Sequence, residues 1–264
     1  MRLLLPPSES KNDGSGSMAL DLETLSFADL SPTRTKLATA LQKLSNKPRS
    51  ARSALGISEK QDFERERNLA LFEAPTSPAA DIYCGVLYDS LNLAGFTVAQ
   101  RKRADARIMI QSALFGWVTP ADRIPAYRLS GDTTLPRLGS PATTWKKPLA
   151  NTLDDESLII DLRSGTYAKF WQPRPEQLDR TIVIKVMQQV TDTKGTRKIA
   201  VSHFNKATKG VVARDLITAN ATPQSVADVI DVLKRAGWEI EHSPATGKSA
   251  HHIEVIIEDL VPQR

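Results

Sequence analysis

The sequence has little of what secreted, membrane-spanning or redox proteins carry. Its 264 residues include one cysteine, Cys84, which excludes an intrachain disulfide and fits a reducing, cytoplasmic setting. No apolar run approaches the ~20 residues needed to cross a bilayer, and the opening Met1 to Pro7 is too short for a signal-peptide core. Membrane insertion and secretion are not expected. His203 and His242 stand alone, and the neighbours His251 and His252 would point to opposite faces of a strand, so no metal site is expected. Gly-rich loops of the P-loop or dinucleotide type are missing, and no cofactor is expected.

What is present is an ordinary globular composition, 41% hydrophobic and 25% charged. A chain of this length buries roughly 70–75% of its unfolded surface, so one compact domain over residues 1–264 needs no staple. The net charge is +5, but it is unevenly placed. Residues 101–214 hold 20 basic and 10 acidic groups, against 11 and 12 in residues 1–100 and 4 and 8 in residues 215–264. If the central segment folds into one basic cleft, it attracts a polyanion or a phosphate; otherwise these are scattered solvated side chains.

Periodicity and punctuation outline the elements. Arg2 to Leu5 reads as a buried strand stopped by Pro6-Pro7, followed by a polar loop from Ser8 to Ser17. Helices are expected from Ser31 to about Leu44, from about Ser58 to Leu71, over Val86 to Leu91 and from Val98 to Arg107. Lys47 to Ser53 reads as a basic loop, Ile82 to Gly85 as a brief strand, and Ile108 to Phe115 as a strand or helical turn. Five prolines make residues 116–150 loop-dominated. Leu158 to Leu162 is a strong strand signal, with Ser164 placed to cap a helix. Thr181 to Val190 and Arg197 to Ser202 read as strands joined at Lys194-Gly195. Helices to about Asn220 and from Thr222 to Arg235 follow, then strands over Trp238 to Glu241 and His252 to Ile257. The mixture predicts an α/β fold, with α+β as the variant, around a mixed sheet.

Two groups carry chemistry. On a helix over residues 205–220, Lys206, Lys209 and Arg214 fall within about 140° of arc, with Gly210 and Ala213 between them for close phosphate approach; an amphipathic surface helix is the plainer reading. Asp122 and Arg128 lie in a proline-bounded segment and offer an ion pair that would hold the Arg fork for an anion; alternatively Asp122 is a turn residue. Ser8-Glu9-Ser10-Lys11 formally matches Ser-x-x-Lys, but the companion motifs of that enzyme class are missing. Lys11 matters more as a cation at the end of the first strand.

Several segments together resemble the YaaA family of bacterial peroxide stress resistance proteins. They are Leu4 to Lys11, Asp81 to Gly85, Ser112 to Gly116, Pro120 to Leu129, Trp145, Ile160 to Ser164 with Tyr167, and Ser202 to Lys206 followed by Lys209-Gly210 and Arg214. The resemblance implies a cytoplasmic protein that limits iron-dependent peroxide damage, with a basic cleft and a helix-hairpin-helix element for duplex or branched DNA. It marks Lys11, Tyr83, Ser112, Asp122, Tyr127, Arg128, Tyr167, Lys206, Lys209 and Arg214, whose chemistry suits phosphate binding, stacking and, for Asp122, orientation. Two departures stand out: Asp161-Leu-Arg163-Ser164 replaces the usual Asn-Leu-Ala-Ser, and Phe115 replaces a Tyr. Leu55-Gly56-Ile57 is the candidate hairpin turn, where backbone amides would face a phosphate.

The leading expectation is therefore a DNA-binding stress protein. The alternative is an enzyme acting on a nucleotide, nucleobase, nucleic acid or small phosphorylated substrate in the same cleft, with Lys11, Lys206 and Asp122 as catalytic candidates. Direct iron sequestration has no recognisable ligand set to support it.

Overall fold

Short apolar strands with no alternation, such as Leu3-Leu4-Leu5 and Ile108 to Ile110, are buried on both faces, as central parallel strands require. The computed structural model describes residues 1–192, 195–200 and 203–257. In chain order the elements are β1 (Arg2–Leu5), α1 (Ser31–Ser45), α2 (Pro48–Leu55), α3 (Asp62–Leu69), β2 (Ser77–Pro78), α4 (Ala79–Ile82), α5 (Val86–Leu91) and α6 (Val98–Arg107). Then come β3 (Ile108–Ser112), β4 (Gly116–Val118), β5 (Arg123–Ile124), α7 (Pro141–Leu149), β6 (Ile159–Asp161) and α8 (Gly165–Ala168). The last are β7 (Thr181–Asp192), β8 (Gly195–Ala200), α9 (His203–Thr218), α10 (Val226–Arg235), β9 (Glu239–Ser243) and β10 (His251–Ile257).

The main sheet runs β4-β3-β1-β6-β7-β10-β9, with β8 paired to β7. β1 is parallel to β3 and β6, and β6 and β10 are parallel to β7, while β4, β8 and β9 are antiparallel. The fold is thus α/β around a mixed sheet. Leu5 pairs with Ile110, and Leu4 with Asp161, so β1, β3 and β6 end at one edge. Ligands of open parallel sheets bind outside such an edge. α1 packs on α2, α3 and α7, whereas α9 packs on α5, α6, α10 and β7.

The departures from the sequence reading have local causes. Lys47 to Ser53 is no loop: Pro48 opens α2 at a position where its missing N–H is harmless, and Ala51 and Leu55 are buried one turn apart. α7 interrupts the expected loop region because Ser140 caps it by accepting from the Thr143 N–H, and Trp145 and Leu149 share its buried face. Ile82 closes α4, leaving only Tyr83 of the expected strand in a bridge, to Lys11. A 3-10 turn at Glu59–Gln61 precedes α3, and α10 starts at Val226 because Ser225 and Asp228 form its capping box. Lys194 and Ser202 lie outside the described residues.

Candidate functional site

Beyond the end of β1 the chain is strapped to the segment after α4. The Asn12 N–H donates to the Ile82 carbonyl at 2.9 Å, and the Ser8 hydroxyl donates to the Cys84 carbonyl. This places Lys11 against the sheet edge with only 7% of its surface exposed. Its Nζ donates to the carbonyls of Ser8 at 2.7 Å and Glu9 at 3.3 Å, and stands 4.3 Å from the Tyr127 ring centroid and 5.5 Å from that of Tyr83. Among the described residues no carboxylate forms an ion pair with it. Burial brings its pKa down to about 7; Glu64 opposes that shift and Arg128 adds to it.

The two rings that face this amine belong to a chain of three hydroxyls. Ser112, the last residue of β3, accepts the N–H groups of Leu114 at 3.1 Å and Phe115 at 2.9 Å. With its acceptor sites so used, its own proton goes to the Tyr127 hydroxyl at 2.7 Å, and Tyr127 in turn donates to Tyr83 at 2.9 Å. Burial pushes the Tyr83 and Tyr127 phenols well above their ordinary value, so both stay protonated at neutral pH.

Arg128 and Tyr167 belong to the same neighbourhood. Arg128 pairs with Glu9 at 3.0 Å, and its main chain is clamped by the buried Asn68 amide, which both donates to and accepts from it. The Tyr167 hydroxyl accepts the Gly131 N–H at 3.2 Å. Glu64 and Asn68, both on α3, were not singled out in the sequence. A helix rich in charged residues gives no sign of which ones turn inward.

Below the hydroxyls lies a second buried group. Arg163 forms a two-pronged pair with Asp161, at 2.9 and 2.7 Å, and also donates to Gln111 Oε1 and to the carbonyls of Tyr167 and Trp171. The Trp117 and Trp171 rings lie 5.6 and 5.5 Å from its guanidinium carbon. Burial pushes the Asp161 carboxyl up, but Arg163 outweighs it and holds the pKa below its usual value. Lys209 donates to the Arg163 carbonyl at 3.0 Å, and burial lowers its amine to about 8 against the pull of Asp161.

Among the described residues no hydrogen bond or ion pair links the remaining predicted residues to this group. Asp122 does not pair with Arg128. Its two oxygens accept from the N–H and hydroxyl groups of Ser26 and of Thr119, at 2.6 to 3.2 Å, so it staples two loops in the manner of a turn residue. On α9, Lys206 is exposed and Arg214 half-buried, while Lys209 is buried. Gly210 serves helix packing: a Cβ there would lie 2.2 Å from the Leu87 carbonyl oxygen on α5. Several cations of the central segment are used internally, Arg174 by Asp154 and Glu176, Arg101 by Asp105, and Arg180 by the carbonyls of Ser157 and Leu153.

Gly56 joins α2 to the 3-10 turn before α3 in the left-handed conformation, with φ +62° and open space where a side chain would go. Leu55 and Ile57 flank it and are buried. Its amides are not free for a phosphate: the N–H groups of Gly56 and Ile57 both go to the Arg52 carbonyl, and that of Ser58 to Gln61. Lys43, Lys47, Arg49 and Lys60 surround the turn in sequence and are exposed.

The family model for peroxide stress protein YaaA matches residues 1–243. This chain belongs to that family. A UPF0246 protein of Streptomyces coelicolor is 37% identical over 98% of this chain and 100% of its own length. Another, from Corynebacterium efficiens, is 42% identical over 91% of this chain and 95% of its own. The YaaA-family assignment covers both the Lys11 neighbourhood and the Gly56 turn. Among the described residues no helix is long and apolar enough to cross a membrane.

Proposed function

We propose that this YaaA-family protein binds duplex or branched DNA through phosphate contacts and thereby limits iron-dependent oxidative damage in the cytoplasm. The observation that carries the reading is the Gly56 turn: an exposed helix–glycine–helix junction, with Lys43, Lys47, Arg49 and Lys60 exposed in the sequence on either side of it. None of these four is in an ion pair among the described residues. Because the turn amides are occupied, the side-chain cations supply the contacts, and such contacts orient a duplex without reading its sequence.

The test is a titration of duplex, single-stranded and branched DNA at several salt concentrations, using wild type and Lys47→Ala/Arg49→Ala/Lys60→Ala. Neutralising phosphates releases counterions, so wild-type affinity falls steeply with salt, and each lost contact lowers the logarithmic slope by about 0.9. Wild-type protein that binds no DNA, or binds it without salt dependence, rejects the reading.

One observation favours a second reading, in which the protein is an enzyme. Lys11 is a desolvated amine over the rings of two hydrogen-bonded tyrosines, and such groups concentrate where chemistry is done.

A further inference from the structure

A buried lysine with a structural role is normally matched by a carboxylate, because an unpaired buried charge is costly. Lys11 lacks that match among the described residues. Two main-chain carbonyls accept from its amine, as many as a neutral amine has N–H bonds, so in the neutral form its lone pair has no partner among the described residues. The rings of Tyr83 and Tyr127 wall one side, and their hydroxyls are hydrogen-bonded to each other, with Ser112 bonded to Tyr127. A desolvated amine is the nucleophile that attack on a carbonyl needs.

Arg128 supplies the second half of the site. Its guanidinium is near enough to Lys11 to act on it electrostatically; among the described residues its Nε is buried without a hydrogen-bond partner, and its ionic partner there, Glu9, has a side chain 61% exposed. A phosphate can displace so weakly held a carboxylate and satisfy the guanidinium fork.

We infer that Lys11 forms an imine with the aldehyde of a phosphorylated sugar, with Arg128 receiving the phosphate. The nitrogen lone pair attacks the carbonyl carbon and a C–N bond forms while the carbonyl π pair moves to oxygen. The nitrogen gives up two protons and the oxygen leaves with them as water, so that C=N remains and no oxidant or reductant is needed. Such an aldehyde occurs in a free sugar phosphate and in the opened deoxyribose of a DNA strand that has lost a base. The second source rests on the DNA reading above. α3 links the two places, since it follows the Gly56 turn and carries Asn68, which clamps the Arg128 main chain, and Glu64, which acts on Lys11.

The experiment incubates the full chain with duplex DNA containing one base-less site, or with 2-deoxyribose 5-phosphate, in the presence of cyanoborohydride. The reduced adduct is located by peptide mass mapping. The expected result is an adduct on Lys11, forming faster as pH rises through about 7 and reduced tenfold or more, as an order-of-magnitude expectation for loss of the nucleophile, in Lys11→Arg. Mapping in the wild type needs no variant to fold. No adduct with either substrate, or an adduct on another lysine, overturns the inference. Trapping by the free sugar phosphate alone upholds the role of Lys11 and removes DNA as the source. Binding of intact duplex is measured separately, so failure of the DNA reading shows as lost binding with trapping retained, and failure of the Lys11 role as binding without trapping.

Discussion

Asp161 and Arg163, two residues apart at the end of β6, neutralise each other inside the protein, with side chains 8% and 1% exposed. Each is the other's main counter-charge, and removing one leaves a buried ion. Arg163→Ala is expected to lower stability by roughly 3–5 kcal/mol. The double variant Asp161→Asn/Arg163→Ala, which restores the pair the family resemblance would place here, should recover much of that loss. Urea denaturation of wild type, both single variants and the double variant measures the coupling, and additive losses would contradict it.

The Lys11 amine has a pKa near 7 in the folded protein, against an ordinary value of about 10.4 once unfolded. Between those values the unfolded chain binds more protons, so this residue makes stability rise with pH across that window, and its full penalty applies below pH 7. Lys209, at about 8, adds a contribution of the same sign over a narrower range. Lys11→Met should therefore gain stability relative to wild type at acidic pH, with the advantage shrinking toward alkaline pH. Thermal melts across the window follow it, and a pH-independent difference would be the contrary result.

Gly210 leaves no room for a side chain between α9 and α5. Although alanine favours helix by nearly 1 kcal/mol, Gly210→Ala drives a methyl into the Leu87 main chain. Overpacking of this kind typically costs about 1–3 kcal/mol. Chemical denaturation should show net destabilisation; a more stable variant would mean that the two helices separate easily.

Asp122→Ala removes the acceptor for four donors on Ser26 and Thr119. Loss of about 2–3 kcal/mol is expected, from hydrogen bonds to a charged group and from donors left unmatched. The Arg128–Glu9 pair is independent of Asp122, so trapping at Lys11 should persist in the folded variant. A variant of undiminished stability that failed to trap would instead give Asp122 a direct part in the chemistry.

Lys206 and Lys209 lie one turn apart, yet should behave differently. Exposed Lys206 changes to alanine within about 0.5 kcal/mol, whereas Lys209→Ala deletes the bond to the Arg163 carbonyl. Denaturation of the two variants side by side separates them, and DNA binding by Lys206→Ala then reports charge alone.

Local chemistry made much of this protein legible in its sequence. Uniformly apolar runs marked β1 and β6, and Ser31-Pro32 marked the start of α1, because burial on two faces and a preset φ leave direct traces in residue type, while the run that became β3 read equally as a strand or a helical turn. The family-marked residues Lys11, Tyr83, Ser112, Tyr127 and Arg128 also meet at one sheet edge. α2 and α7 escaped notice, since prolines and basic residues imitate loops until a buried face shows otherwise. Whether a charge faces water or a partner depends on residues distant in the chain. Register brought Asp161 beside β1, chain crossing gave Arg128 to Glu9 and left Asp122 to bind Ser26 and Thr119, and only the folded edge stripped Lys11 of water. Residue type determines what a side chain can do; packing determines its solvent and its counter-charge, and those decide which lysine amines titrate below their ordinary range.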